Sequence, residues 1–240
     1  MLRVDHVTKR FGGLVALDDI CLVLPDKGVF GMIGPNGAGK TTLFNVICGF
    51  LRPDKGSIEF GGKNITNLRP DEICKLGLGR TFQHPKVFET LNVIENVMVG
   101  AFFASFRKDE TDVRERCLEL LKKVNLQDKH GEPVLRLTLA ERKRLELARA
   151  LAGRPNLLLV DELMAGLNPA EVDRCIEIVK EIRNSGITVL MIEHVMRAIM
   201  TVSDYVFVLD RGSKIAEGRP EEVAADAKVI RAYLGSDIYA

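Results

Sequence analysis

Residues 29–42 read Val29-Phe30-Gly31-Met32-Ile33-Gly34-Pro35-Asn36-Gly37-Ala38-Gly39-Lys40-Thr41-Thr42, an apolar run that leads into a glycine-rich loop. The loop matches the pattern G-x-x-x-x-G-K-[ST], which connects a buried strand to a helix. In this pattern the backbone N–H groups point at phosphates, the lysine reaches the β- and γ-phosphates, and the hydroxyl residue binds Mg²⁺. The sequence therefore predicts a site for a nucleoside triphosphate at residues 34–42.

A buried helix is predicted directly after this loop. Four apolar residues recur at the spacing i, i+3, i+4 and i+7, which is the spacing of one helix face: Leu43, Val46, Ile47 and Phe50. We therefore expect all four side chains in the core. The alternative interpretation of the loop is a glycine-rich turn without a ligand, and the strand and helix that flank the loop argue against it.

The composition indicates an ordinary globular chain. Its 240 residues suit one large domain, or a domain with one insertion, and 46% of them are hydrophobic and 28% charged. The net charge of +1 gives no reason to expect a nucleic-acid partner. The apolar runs are strand-sized, far below the roughly 20 residues of a membrane-spanning helix, and the first residues do not resemble a secretory signal. The five cysteines form no C-x-x-C pair, which favours reduced thiols in a cytosolic protein.

Two kinds of apolar segment predict an α/β fold. Short segments that indicate an antiparallel β region are found at residues 2–7, 19–24 and 57–60. Near-continuous apolar segments, which alternate with helical patterns and are typical of a buried parallel sheet, are found at residues 157–160, 187–192 and 206–209. The predicted fold is thus a parallel core sheet with an antiparallel β subdomain.

Helical character is predicted from residue 71 to about residue 136. One helix face in this stretch is formed by Val113, Cys117, Leu120, Leu121 and Val124. We expect a single nucleotide-binding domain over residues 1–240, with a mostly helical subdomain inserted at residues 84–135. Two further helices are predicted over residues 141–152 and 170–184.

Two carboxylates end one of the predicted parallel strands. Asp161 and Glu162 follow the apolar residues 157–160. Ligands bind at the carboxyl ends of parallel strands, so Asp161 is expected beside the phosphate loop, where it would hold Mg²⁺ through water. Glu162 would orient or deprotonate the attacking water, because phosphoryl transfer needs mainly positioning and charge stabilisation. The alternative is a strand that simply leaves the core at two acidic residues.

Three further residues carry weak signals by themselves. His194 follows the next apolar strand, and a lone histidine is more often structural than functional. Gln83 follows Arg80-Thr81-Phe82 and by its chemistry could be an ordinary loop amide. Phe11 lies before two glycines, where it could stack on a base or fill the β region.

The order and spacing of these features resemble the ATP-binding cassette (ABC) ATPases over essentially the whole chain. Four segments are similar, more narrowly, to the cassettes of branched-chain (hydrophobic) amino acid importers, and most of all to their LivG-type subunit: residues 9–17, 80–84, 165–169 and 229–235. The resemblance implies an ATPase with ATP and Mg²⁺ as cofactors. It also implies a cytoplasmic-face, peripheral position on the cell membrane.

The resemblance implies a role for each matching residue. Phe11 matches the residue that stacks on adenine, and Lys40 and Thr41 match the residues that bind phosphate and Mg²⁺. Gln83 matches a glutamine that contacts metal and water. Glu162 matches the catalytic glutamate, and His194 the histidine that senses the γ-phosphate. Asn168 would lie in the loop that crosses the dimer interface, and the segment around residues 84–110 would receive a helix of the membrane subunit.

The resemblance also implies partners. Two cassettes, either two copies of this chain or this chain and a related one, would close head to tail over ATP. Transmembrane permease subunits would bind the cassette directly, and a substrate-binding protein would act on it indirectly. Nucleic acid is not an expected partner, since the chain has neither a second cassette nor a basic stripe.

The signature segment departs from the family pattern. Where that pattern reads Leu-Ser-Gly-Gly-Gln, this chain has Leu137-Thr138-Leu139-Ala140-Glu141. The Thr138 hydroxyl and the backbone at Ala140 can still face a partner's ATP. The loss of both glycines removes the close backbone approach that glycine permits, so we expect weaker or slower closure. Leu163 replaces a proline after the glutamate, and we expect little effect there.

Two alternatives remain open from the sequence. The cassette could serve a related importer of urea, amides or aromatic acids. It could instead be a regulatory cassette whose altered signature prevents turnover, although the presence of Glu162, Gln83 and His194 argues against this. A GTPase is not supported, because the chain lacks an Asn-Lys-x-Asp motif.

Overall fold

The computed structural model describes residues 1–104 and 110–234. Its strands are β1 (Leu2–Phe11), β2 (Leu14–Leu24), β3 (Val29–Ile33), β4 (Lys55–Phe60), β5 (Lys63–Asn64), β6 (Leu78–Arg80), β7 (Leu157–Asp161), β8 (Thr188–Ile192), β9 (Tyr205–Asp210) and β10 (Ser213–Gly218). Its α-helices are α1 (Lys40–Ile47), α2 (Pro70–Lys75), α3 (Val93–Ala104), α4 (Glu110–Lys123), α5 (Leu139–Ala152), α6 (Pro169–Asn184), α7 (Met196–Val202), α8 (Pro220–Ala225) and α9 (Ala227–Leu234). The domain expected over residues 1–240 and the insertion expected over residues 84–135 both include residues outside the described ranges.

Six strands form the central sheet in the order β10-β9-β3-β8-β7-β6. Neighbouring strands are parallel except β9 and β10, which form an antiparallel hairpin. The predicted parallel sheet is therefore confirmed. Because β3, β8 and β7 are adjacent, the segments that follow their carboxyl ends meet at one edge of the sheet, where ligands of such sheets bind.

Strand β6 lies inside the stretch for which the sequence predicts helical character, so that prediction is wrong at this point. Its residues Leu78 to Arg80 pair in parallel with Leu157 to Leu159 of β7. A strand of this length is too short to show alternation in the sequence, and its pairing with β7 determines its conformation.

A second sheet has the order β2-β1-β4-β5 and is antiparallel throughout. It confirms the predicted antiparallel region, although β1 and β2 are longer than the segments at residues 2–7 and 19–24. The two strands remain paired up to Phe11 and Leu14, so that Gly12 and Gly13 alone form the turn between them.

The central sheet separates two hydrophobic cores, as the period of two in a strand requires. On β7, Leu158 and Val160 face the core that includes α3, α4, α5 and α6. Leu157 and Leu159 face the other core, which includes α1 and the antiparallel sheet. Burial on both faces explains why β3, β7 and β8 read as continuous apolar runs.

Helix α4 has the amphipathic face that the sequence predicts. The side chains of Val113, Cys117, Leu121 and Val124 are buried, and Leu120 is packed against the same core. The opposite face is exposed and carries charged residues. Among the described residues, no helix is both long enough and apolar enough to cross a membrane.

The prediction that Phe50 lies on the buried face of α1 is wrong. Helix α1 ends at Ile47, and Gly49 has a φ of 74°, which turns the chain out of the helix. Phe50 is consequently 53% exposed, and its ring meets the edge of Phe82 at a centroid distance of 6.0 Å. Leu43, Val46 and Ile47 are buried as predicted.

Candidate active site

The phosphate loop lies between β3 and α1, as predicted. Gly39 caps α1 with a φ of 102°, a conformation that suits glycine, and has no side chain to occupy the first N–H groups of the helix. Gly34 has a φ of 150°, and an added Cβ would overlap the carbonyl oxygen of Leu209. The loop is therefore shaped so that backbone N–H groups can receive an anion.

Lys40 is buried within its own loop. Its Nζ donates hydrogen bonds to the carbonyl oxygens of Gly34 at 2.6 Å and Pro35 at 2.9 Å. Burial lowers the pKa of Lys40, and the nearby carboxylates of Glu162 and Asp161 oppose that shift. The loop thus holds a cation at the place where the sequence predicts a phosphate.

The remaining loop residues differ in exposure. Asn36, Gly37 and Thr41 are exposed, while Pro35 and Thr42 are partly exposed and Ala38 is buried. Thr41, whose hydroxyl is the predicted Mg²⁺ ligand, is therefore an exposed residue in the first turn of α1.

Phe11 ends β1 with 46% of its surface exposed, so it does not fill the β region. The ammonium group of Lys9 lies 5.6 Å from the centre of its ring. Of the two roles left open by the sequence, this placement favours a ring that can stack on a base.

Glu162 brings two other predicted residues together. The side-chain amide of Gln83 donates to Oε2 of Glu162 at 2.8 Å, and Nε2 of His194 lies 3.0 Å from Oε1. Glu162 itself has a φ of 49°, an uncommon conformation for a non-glycine residue and one that is found at functional sites. Three residues from three different segments therefore meet at one carboxylate.

The backbone of the loop after Glu162 is held by buried charged side chains. Lys143 donates to the carbonyl oxygens of Glu162 at 2.7 Å and Ala165 at 2.8 Å. Glu193 accepts a hydrogen bond from the backbone N–H of Met164 at 2.8 Å. Burial raises the pKa of Glu193 to about 7. Sequence reasoning missed these two side chains, whose only signal is their position next to recognised motifs.

Asp161 is buried at the end of β7. Its Oδ2 lies 3.3 Å from Nη2 of Arg80, while its Oδ1 has no hydrogen-bond partner among the described residues. Burial raises the pKa of Asp161, and the guanidinium of Arg80 opposes that shift. A buried carboxylate oxygen without a partner is chemically suited to a hard cation or to water that such a cation holds.

Arg80 is a site residue that sequence reasoning named only as part of a family segment. Besides Asp161, it donates from Nη1 to Oδ1 of Asn45 at 2.8 Å. Its guanidinium lies 4.9 Å from the centre of the Phe82 ring and 5.6 Å from that of Phe50. An arginine at the end of a three-residue strand gives no periodic signal, so this contact emerges only from the pairing of β6 with β7.

The signature segment begins α5. The Thr138 hydroxyl accepts from the N–H of Glu141, and the Glu141 carboxylate accepts from the N–H of Thr138, which is a capping box. Leu139 is 52% exposed, whereas Ala140 is buried. Ala140 therefore presents little surface to a ligand, and in the described part of the chain Thr138 bonds within its own helix start.

Known proteins share this arrangement of segments. The sequence profile of the family described as "ABC transporter" matches residues 17–165, which include the phosphate loop, Gln83 and Glu162. The chain belongs to the ABC transporter family. A second profile, described as "Branched-chain amino acid ATP-binding cassette transporter", matches residues 213–239 of the cassette.

Curated relatives match the cassette over nearly its whole length. It is 38% identical to the high-affinity branched-chain amino acid transport ATP-binding protein BraF of Pseudomonas aeruginosa, over 98% of each chain. It is 36% identical to the corresponding protein LivG of Salmonella typhimurium, again over 98% of each chain. A probable LivG of Archaeoglobus fulgidus is 33% identical over 98% of the cassette and 96% of the relative.

Solved structures confirm the fold. A nucleotide-free ATP-binding cassette of an ABC transporter superposes with a TM-score of 0.88 at 33% identity, over 98% of this chain and 99% of that one. A cassette in its ADP conformation gives the same TM-score and identity over 98% of both chains. The prediction of an ABC ATPase fold that binds ATP is therefore confirmed, and the cassette is an ATPase of this class.

Proposed function

We propose that this cassette hydrolyses ATP to power an importer of branched-chain (hydrophobic) amino acids. The observation that carries the proposal is the Glu162 carboxylate, which is hydrogen-bonded by Gln83 and lies against His194. Relatives that match the whole length of the cassette are named as branched-chain amino acid transport proteins, and this supports the substrate class.

In the proposed reaction Glu162 orients the attacking water and accepts its proton. Its side chain is 12% exposed, so a water molecule can reach an oxygen whose position Gln83 and His194 fix. Lys40, held as a cation in the phosphate loop, stabilises the charge that develops on the phosphates. The His194 ring faces the same carboxylate and senses the γ-phosphate.

We infer that Mg²⁺ binds beside the phosphate loop through Thr41, Gln83 and Asp161. The unpartnered Oδ1 of Asp161 and the hydroxyl of the exposed Thr41 are the oxygen donors that Mg²⁺ prefers. When bound, the ion supplies neutralisation of charge on the β- and γ-phosphates. The stacking role of Phe11 on adenine belongs to the same proposal.

A second cassette is the proposed partner at the signature segment. Thr138 and Leu139 are exposed at the start of α5, where backbone N–H groups can face the γ-phosphate of ATP bound to the other cassette, together with that of Ala140. A related cassette, 25% identical with a TM-score of 0.83, forms a dimer in a post-hydrolysis state bound to ADP and phosphate. Either two copies of this chain or this chain and a related one would form the working pair.

Permease subunits are the proposed partners at the membrane. A groove of about 510 Å³ lies between α2, β6, α3 and α5, and its rim carries the exposed rings of Phe50 and Phe88. We propose that residues 84–135 act as a helical subdomain of the single cassette domain and that this groove receives a permease helix. The cassette would then be a peripheral protein on the cytoplasmic face of the membrane, and a substrate-binding protein would influence it only through the permease.

The enzymatic half of the proposal is tested with the purified chain. We expect Glu162→Gln to bind ATP with the affinity of the wild type but to lose hydrolysis by roughly 100-fold or more. Lys40→Ala should lose ATP binding itself. Hydrolysis that survives in Glu162→Gln would remove Glu162 from the reaction. A wild type that binds ATP without hydrolysing it, both alone and mixed with the related cassette of the same importer, would favour a regulatory cassette.

The transport half is tested in cells that lack this gene. Uptake of radiolabelled leucine should fall and should return with the wild-type gene but not with Glu162→Gln. If leucine uptake is unchanged while uptake of urea, an amide or an aromatic acid falls, the cassette serves that related importer instead.

A further inference from the structure

Helix α5 carries two buried charges of opposite sign on the face that packs against the site. Lys143 is 5% exposed and Glu146 is 2% exposed. The two residues are three positions apart, so they lie on the same face of the helix. Burial lowers the pKa of Lys143 and raises the pKa of Glu146, so burial opposes both charges. Charges in such a place need hydrogen bonds to offset the loss of water.

Lys143 obtains its hydrogen bonds from the loop that carries Glu162. Its Nζ donates to the backbone carbonyl of Glu162 at 2.7 Å and to that of Ala165 at 2.8 Å. The two carbonyls begin and end the turn in which Glu162 has its left-handed φ. A cation that binds both ends fixes the turn and therefore the direction in which the Glu162 side chain leaves the backbone.

Glu146 obtains its hydrogen bonds from the loop that carries Gln83. The backbone N–H of Phe82 donates to Oε2 at 3.0 Å, and the backbone N–H of Lys86 donates to Oε1 at 2.8 Å. These two amides lie on either side of Gln83 in the sequence. The Oε1 atom also accepts from Nη2 of Arg149 at 3.2 Å, which balances the buried negative charge.

We propose that Lys143 and Glu146 are positioning residues that hold the loops of Glu162 and Gln83 in a fixed relation to α5. A cation binds carbonyls and an anion binds amides, so each charge matches the backbone groups of its own loop. The hydrogen bond between Gln83 and Glu162 closes the arrangement. Because α5 begins at Leu139, directly after its cap Thr138, a displacement of the signature segment by a second cassette moves both loops of the same chain together. This inference rests on the proposed function, in which Glu162 and Gln83 take part in hydrolysis.

The test compares Lys143→Met and Glu146→Gln with a matched control, Arg144→Met. Arg144 is the next residue on α5, is also buried, and also donates to two backbone carbonyls, those of Val124 and Asn125 outside the site. All three variants lose hydrogen bonds of a buried charge. The first two alone lose contact with the loops of Glu162 and Gln83.

Two measurements are made on the full-length chain. In single-turnover hydrolysis we expect Lys143→Met and Glu146→Gln to lower the rate constant roughly 10- to 100-fold, with the Kd for ATP within about threefold of wild type. In amide hydrogen exchange we expect faster exchange, by roughly tenfold, at Met164 in Lys143→Met and, in Glu146→Gln, at whichever of Phe82 and Lys86 faces the new NH2 group, because the one glutamine oxygen can still accept from the other. Arg144→Met should lower the melting temperature and leave both readouts near wild type at a temperature where it is folded.

The outcomes separate this inference from the proposed function. Wild-type rates and wild-type exchange in Lys143→Met and Glu146→Gln would overturn the inference. The same losses in Arg144→Met as in the other two would also overturn it, because they would reflect the stability of the fold alone. A wild-type chain that hydrolyses no ATP, either alone or mixed with the related cassette of its importer, would overturn the proposed function, and hydrogen exchange would then still decide whether the two charges hold the loops.

Discussion

Gly34 and Gly37 differ in what a side chain would meet, although both belong to the phosphate loop. A Cβ on Gly34 would overlap the backbone oxygen of Leu209, which cannot move without disturbing β9. A Cβ on Gly37 would meet nothing within 4 Å, and only its φ of 79° disfavours a side chain.

We predict that Gly34→Ala lowers the free energy of unfolding by at least about 3 kcal/mol, since overlap with backbone cannot be relieved by a rotamer change. Gly37→Ala should cost about 1–2 kcal/mol, the strain of a left-handed residue. Urea unfolding monitored by circular dichroism measures both. Equal losses in the two variants would show that conformation, and not packing, decides at Gly34.

Glu193 links the stability of the molecule to pH in an unusual direction. Its carboxyl group faces Lys143, Glu162 and the backbone N–H groups of Met164 and His194. Burial raises its pKa from the ordinary value of 4.5 to about 7, so the folded state binds this proton more tightly than the unfolded state. Its contribution to stability is complete below the ordinary pKa of 4.5 and is lost as pH rises towards 7.

We predict that Glu193→Gln removes this dependence. The amide oxygen of glutamine can still accept from Met164, while the charge that burial opposes is gone. The unfolding free energy of the variant minus that of wild type should increase by about 1–3 kcal/mol from about pH 5 to about pH 8. Denaturant unfolding at both pH values measures the gain, and Glu177→Gln on the exposed face of α6 serves as the control. A parallel pH dependence in Glu193→Gln and wild type would contradict the prediction.

The start of α5 departs from the signature pattern of the family. Leu139 occupies a glycine position of the family pattern and exposes its side chain. Its Cδ2 lies 4.0 Å from the point where a Cβ would lie if Gly166 had a side chain. A second cassette that approaches α5 must therefore contact an apolar side chain in place of bare backbone.

We predict that Leu139→Gly in the Glu162→Gln background lowers the ATP concentration needed for dimerisation by roughly fivefold or more, because the backbone of α5 becomes accessible. The helix itself should lose about 1 kcal/mol. Light scattering with ATP and Mg²⁺ measures the first effect, and thermal unfolding the second. Leu135→Gly, which changes an exposed leucine before the signature segment, is the control. Unchanged or weaker dimerisation in Leu139→Gly would mean that the side chain takes part in the contact.

Helices and strands with a strong apolar pattern could be predicted from the sequence, whereas short strands and the exact ends of helices could not. The buried strands β3, β7 and β8 and the amphipathic helix α4 follow from apolar patterns that any core would impose. Strand β6 has three residues, so only its pairing with β7 defines it. Phe50 fits the helix period, yet Gly49 ends the helix first, and an exposed ring results.

The same distinction applies to the site. Motif spacing locates Lys40, Glu162 and His194, because the roles proposed for those residues are direct contacts with a ligand and their types follow from that chemistry. Lys143 and Glu146 act on backbone atoms of distant loops. A sequence does not show which backbone groups a helix will face, so these residues look like the ordinary charged face of a helix until the fold is known.

The groove beside α3 connects the proposed permease surface to the candidate active site. Arg80 lines the groove, where it packs on Phe50 and Phe82, and it also reaches Asp161. The backbone N–H of Phe82 in turn donates a hydrogen bond to the carboxylate of Glu146. A protein that presses on the groove therefore acts on side chains that contact both the predicted metal ligand and the loop of Gln83.

We predict that Phe88→Asp abolishes transport but leaves the isolated cassette intact. Phe88 lies on the rim of the groove with its ring 5.3 Å from the guanidinium carbon of Arg149, and a carboxylate there would replace the exposed apolar ring that a permease helix would contact. Leucine uptake should fall by roughly tenfold or more, while ATP affinity and melting temperature of the purified chain stay near wild type.

The control is Phe102→Asp, which changes an exposed phenylalanine of α3 outside the groove and should retain uptake. If both variants transport normally and copurify with the permease, the groove is not the surface that binds it. If both fail to copurify, the contact extends along α3 beyond the groove.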